Sequence, residues 1–209
     1  MHGTTGGFMA KRILLAGILG GIAMFAWSFI AHTILPLGMT GIGEIPNEAA
    51  VLSAMQTSMG GSDGLYLFPG MGLGPKPSMK DVNAAMPQYE KKLAGNPHGL
   101  LLYHPPGGKA MEPRQLLTEF ATEVVEALLA AWLLARTRLT SYTARVGFVF
   151  VVGLTAAITT NIPYWNWYGF PGSYTAAYVF MQIVAFLAAG LVAAAALRQP
   201  MLEAMTAGR

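Results

Sequence analysis

The stretch Ile13–Leu35, ILLAGILGGIAMFAWSFIAHTIL, decides how the rest of the chain is read. It contains no Asp, Glu, Lys or Arg, and a helix of about 20 apolar residues crosses a hydrocarbon core of about 30 Å. Lys11 and Arg12 precede it, as in a secretory signal peptide. However, the apolar run is about twice the usual length for such a leader, and Ala31–Pro36 holds no A-x-A cleavage pattern, so an uncleaved transmembrane helix is expected.

Three further stretches match it working outward: Leu116–Ala135, Val146–Tyr164 and Tyr174–Leu197. Composition agrees. Of 209 residues 54% are hydrophobic and only 11% charged, against about 25% charged in soluble domains. So few charges cannot cover a water-facing surface. The net charge of +3 matters less than its placement. Lys11 and Arg12 precede the first span, Arg136, Arg138 and Arg145 lie between the second and third, and Arg198 follows the fourth, whereas the turn Asn166–Ser173 is uncharged. The positive-inside rule then places both termini of a multi-pass protein in the cytoplasm of a bacterial inner membrane.

The expected fold is an all-α membrane protein, with four transmembrane helices and a small α+β extracytoplasmic cap between the first and second. Residues 1–35 form the cytoplasmic N-terminus and first span, 36–115 the extracytoplasmic domain, and 116–209 the other three spans with an aromatic external turn. Short connections predict that the second and third spans, and the third and fourth, are antiparallel neighbours. In the long connection Asn47 is expected to cap a helix to Met59, ended by Gly60-Gly61. Leu65–Phe68 and Gly99–His104 read as strands that pair over the helices. Ser78 with Asp81 signals a capped helix start, and Pro87 is expected to split that helix.

The second span carries the most unusual chemistry. Glu119, Glu123 and Glu126 lie at i, i+4 and i+7 and so share one helix face. Acids inside a membrane are costly and usually face protein or water. Glu126 falls near the midplane, about 15 Å along the helix. It serves either a proton or cation path or a polar seam bonded to Thr155, Thr159, Thr160, Asn161 or Gln182. His32 is the only histidine in a span; it is a candidate ligand for a pigment or metal, or a hydrogen-bonded interfacial group. His98 and His104 lack a metal-binding spacing with it, and no metal site is expected. Tyr164, Trp165, Trp167, Tyr168 and Phe170 fit an interfacial aromatic belt or a surface docking a lipid, a quinone or a partner. Gly17 and Gly21 make a small-xxx-small face for helix packing, inside the bundle or onto another subunit.

The absence of cysteine excludes thiolate-bound clusters, covalent haem and thiol nucleophiles. No phosphate loop, nucleophile elbow or basic nucleic-acid patch is present, so neither an enzyme nor nucleic-acid binding is expected, and no cofactor is predicted beyond contact with lipid, quinone or pigment. Arg12–Gly17, Leu101–Pro105, Pro113–Phe120 and above all Tyr164–Pro171 resemble a family of uncharacterised four-helix bacterial inner-membrane proteins. The resemblance implies the topology and a bacterial origin, and brings no activity with it. The expected partners are membrane lipids and other membrane subunits. The expected function is that of a non-catalytic accessory or structural subunit of a respiratory or photosynthetic membrane complex. The alternative is a small proton- or ion-coupled transporter using Glu126 and Glu123.

Overall fold

The computed structural model describes residues 3–197, so Arg198 lies outside the described residues. The chain is mostly helical, and divides into two compact units: one comprises residues up to Ile42 and from Met111 onward, the other Gly43–Ala110.

The first unit is a helical bundle. It contains α1 (Gly3–Phe29), α4 (Pro113–Ala135), α5 (Tyr142–Tyr168) and α6 (Gly172–Ala196). Three helical stretches, Gly7–Ile34, Tyr142–Tyr168 and Gly172–Ala196, are long and apolar enough to cross a membrane. α4 has 23 residues, yet any 18-residue stretch within it includes Glu119, Glu123 and Glu126, and this separates it from the other three.

Local sequence sets the helix ends. Glu112 and Gln115 form a reciprocal capping box ahead of Pro113 at the first position of α4, where the missing proline N–H costs nothing. Ser141 Oγ accepts from the Ala144 N–H at 3.1 Å to open α5. Gly169, at φ +70°, closes α5 in the left-handed conformation that glycine adopts without a Cβ penalty. α1 ends differently: Ile30–Ile34 form a π turn in which the Leu35 N–H reaches the Ile30 carbonyl at 2.9 Å.

α1 occupies the middle of the bundle, packed along α4 on one side and α6 on the other, and α5 packs along α6. The antiparallel register of α1 and α4 can be followed residue by residue. Gly17 abuts Leu128, Gly21 abuts the backbone of Val124, and Phe25 meets Phe120 edge to face at 5.4 Å. The glycine face of α1 is therefore used inside the bundle. Gly153 packs in the same way against Phe186, and Gly190 against Val149. α4 and α5 were expected to be full neighbours, but they touch little. α1 and α6 lie between them, and the short connection at Arg136–Ser141 joins helices that diverge.

Small residues fill the interior: Ala16, Ala127, Ala130, Ala131, Ala157, Ala189 and Ala194 are all buried, with Met24 and Val149 the largest fully buried side chains. Large apolar residues point outward, among them Leu14, Ile22, Val125, Leu129, Val151 and Phe180. In water this would leave an apolar surface of the kind that drives association. Facing lipid, it is how membrane helices pack, small residues allowing backbones to approach closely. At one end of the bundle two arginines bond the last carbonyls of α6: Arg12 Nε donates to Ala196 O at 2.9 Å and Arg145 Nη1 to Leu197 O at 3.3 Å. Cations are favoured there by the helix dipole.

The second unit holds α2 (Glu48–Met59), β1 (Gly64–Phe68), α3 (Met79–Gly95) and β2 (Gly99–Tyr103). The strands pair antiparallel, with Leu65 opposite Leu102 and Leu67 opposite Leu100. The pairing agrees with the sequence reading, but a packed α+β layer does not form: neither α2 nor α3 has a buried residue. Tyr103 is buried and anchors the sheet by donating its hydroxyl to Gly60 O at 2.9 Å. Ser78 and Asp81 form the expected capping box. Asn47 precedes α2 but caps nothing, because at φ +54° its backbone is left-handed rather than in the extended region that capping needs. Pro87 does not split α3; it forfeits one helical donor, and the hydrogen bonds on either side carry the helix past it.

Candidate functional site

Where α4 and α5 diverge, the four helices of the bundle enclose a cavity of about 250 Å³. α1 contributes Met24 and Ser28, and the π turn that follows it His32; α4 contributes Glu119, Thr122, Glu123 and Glu126; α5 contributes Thr160 and Asn161; α6 contributes Tyr178, Met181, Gln182 and Ala185. The i, i+4, i+7 spacing thus brings all three glutamates to one space, and among the described residues no Lys or Arg lines it. His32, Glu119, Thr122 and Thr160 are exposed and form the mouth, while Met24, Glu123, Asn161, Met181 and Ala185 are buried and form the floor. Glu126 is half-buried between them.

Glu123 is 5% exposed. Its Oε1 accepts from Ser28 Oγ at 2.5 Å, tying α4 to α1. Its Oε2 is buried and has no partner, although buried polar atoms are nearly always hydrogen-bonded. Across the cavity Asn161 Nδ2 donates to its own Ala157 carbonyl at 2.9 Å and to Gln182 Oε1 at 3.2 Å, linking α5 to α6.

The polar seam is therefore divided. Asn161, Gln182 and Thr160 face the same space as Glu126. Thr155 and Thr159 instead bond the backbone of their own helix, to Val151 O and Thr155 O. Ser28 and Tyr178 complete the site and are absent from the sequence reading. The usable signal for Ser28 is its position one helical turn before His32, which places both on one face of α1.

His32 lies on the π turn, a feature frequent at functional sites. Gly38 leaves room for its ring, and Tyr178 meets it edge-on at 6.3 Å. Among the described residues no group of three His, Asp or Glu side chains is placed to hold a metal ion.

The aromatic cluster is largely helical rather than a turn. α5 runs through Pro163 to Tyr168, so Tyr164, Trp165, Trp167 and Tyr168 decorate its last turns, all exposed, with Trp167 the most so at 78%. Only Gly169–Pro171 break the helix. Rings continue from there toward the cavity: Tyr164 to Phe170 at 5.3 Å, Phe170 to Tyr174 at 5.3 Å, and Tyr174 stacked on Tyr178 at 4.2 Å. Comparison of the chain with protein families, with curated proteins and with solved structures finds no match.

Proposed function

We propose that this protein is a small membrane carrier in which Glu126 and Glu123 take up and release a proton or another cation. The observation that carries the reading is the cavity, which gathers three glutamates with His32 at its mouth and no Lys or Arg among the described residues of its lining. A carboxylate away from water has to bind a proton or a cation. Here the mouth at Glu119 admits the ion, and Glu123 and Glu126 hold it within the bundle.

The carrier spans the bacterial inner membrane four times, with both termini cytoplasmic and residues 36–115 outside. Support for α4 as the fourth span is its close packing along α1 from Phe25 to Gly17. Support for the orientation is the gathering of Arg12 and Arg145 at one end of the bundle. The test is flux into liposomes carrying the purified chain and a pH-sensitive dye. Glu126→Gln should abolish flux and keep the size and cooperative melting of the wild type. Unchanged flux in that variant would reject the reading.

A second reading, an accessory subunit of a respiratory or photosynthetic complex, draws on the exposed rings of Trp165 and Trp167, which suit docking to a subunit, a quinone or lipid. The glycine face of α1 no longer supports it, since α4 covers that face. Native purification in mild detergent tests it: co-elution with a large complex supports it, and a particle of this chain alone counts against it.

A further inference from the structure

A proton needs no cavity of 250 Å³. At about 30 Å³ for each water-sized group, that space takes roughly eight such groups. The acids are also spread out rather than convergent. Along α4 the rise from Glu119 to Glu123 is about 6 Å and from Glu119 to Glu126 about 10 Å. No three carboxylate or imidazole groups among the described residues converge as a bare metal ion requires. Negative charge at successive heights along one helix suits a cation whose own charges are separated.

Resting on the carrier reading, we infer that the cavity binds a linear aliphatic diamine in its doubly protonated form. An extended four-carbon diamine places its nitrogens about 6 Å apart, from its bond lengths, matching the rise from Glu119 to Glu123. Its six heavy atoms fit the volume. Each ammonium has three donors and no acceptor, and the lining is rich in acceptors: the glutamates, Thr122, Thr160 and the Asn161–Gln182 pair. Met24, Met181 and Ala185 provide apolar wall for the methylenes. Beyond the grouping of acids, Glu123 is 5% exposed and carries an oxygen without a partner among the described residues, which an ammonium donor satisfies. With three glutamates in the lining, a monoamine balances one carboxylate charge and a diamine two.

The experiment is calorimetric titration of the full chain in detergent with methylammonium, 1,2-diaminoethane, 1,4-diaminobutane, 1,8-diaminooctane and sodium. The wild-type series needs no variant. Affinity should rise at least about tenfold from methylammonium to 1,4-diaminobutane, the gain expected of one added charge-assisted contact, and should fall again for the longest chain. Glu119→Gln, at the exposed mouth, should remove most of that gain. An equal affinity for monoamine and diamine overturns the inference. So does an absence of amine binding while Glu126-dependent proton flux persists, and that result leaves the carrier reading standing. Diamine binding without any flux upholds the site and rejects the carrier. Loss of both rejects both.

Discussion

Ser28 on α1 and Glu123 on α4 are joined by a hydrogen bond of 2.5 Å between Oγ and Oε1, and the other carboxylate oxygen of Glu123 has no partner. This one bond links the central helix to the acidic helix at the floor of the cavity. Ser28→Ala therefore leaves a buried carboxyl group without either partner. The expected cost is about 1 kcal/mol, the scale of side-chain hydrogen bonds between membrane helices. Thermal unfolding in detergent measures it. Ser28→Thr, which keeps the hydroxyl, should recover most of the loss.

The contact between α1 and α4 is set by the absence of a side chain at Gly21. A Cβ there would lie 2.5 Å from the Val124 Cα, a backbone atom that moves only with its helix. Gly21→Ala should destabilise the bundle by about 1–3 kcal/mol, as overpacking does. Gly7 lies on the same helix with nothing within 4 Å of the equivalent position. Gly7→Ala should be neutral or slightly stabilising, since alanine favours helix. Equal melting temperatures for the two variants would contradict the packing described.

Arg145 is 7% exposed, bonded through Nη1 to Leu197 O, and its buried Nε has no partner among the described residues. A charge buried without a counter-charge is costly, so an apolar side chain of similar size removes that cost along with the one hydrogen bond. Arg145→Met should accordingly leave the melting temperature of the purified bundle unchanged or raise it. If Arg145 helps set orientation, the same variant should raise the fraction of chains inserted the wrong way round. A reporter fused to the C-terminus reads that fraction.

At the start of α3, Asp81 accepts from both the hydroxyl and the backbone N–H of Ser78. These bonds, the side-chain one first, hold its carboxyl below the usual aspartate range. A group with a depressed folded-state pKa contributes stability that is complete above its unfolded value and is lost as pH falls through the folded one. Fraying at the N-terminus of α3 should thus set in as pH falls below the ordinary aspartate range, whereas in Asp81→Asn it should be greater at neutral pH and constant with pH, because that variant has lost both the charge and its titration. Hydrogen exchange at residues 78–82 as a function of pH reports it.

Hydrophobic length alone determined the three apolar spans, and the capping chemistry of Ser78 and the two strand segments were also legible, because each depends on neighbours within a few residues. So was the shared face of Glu119, Glu123 and Glu126, since helical periodicity places i, i+4 and i+7 together whatever surrounds them. Pro87 was expected to split α3 and does not, because a single lost hydrogen bond is a local penalty that the rest of a long helix outweighs. The aromatic segment was read as an uncharged turn between two spans, whereas α5 continues to Tyr168.

Only the tertiary structure decided what faces those glutamates. Ser28, Asn161, Gln182 and Tyr178 reach them from three other helices, and no spacing within α4 encodes that. It also decided that Gly17 and Gly21 serve α4 rather than a partner, and that α4 and α5 diverge despite their short connection. The physical reason is that a helix face is chosen by how closely backbones can approach. That depends on where the glycines of one helix fall against the side chains of another, a relation between distant residues.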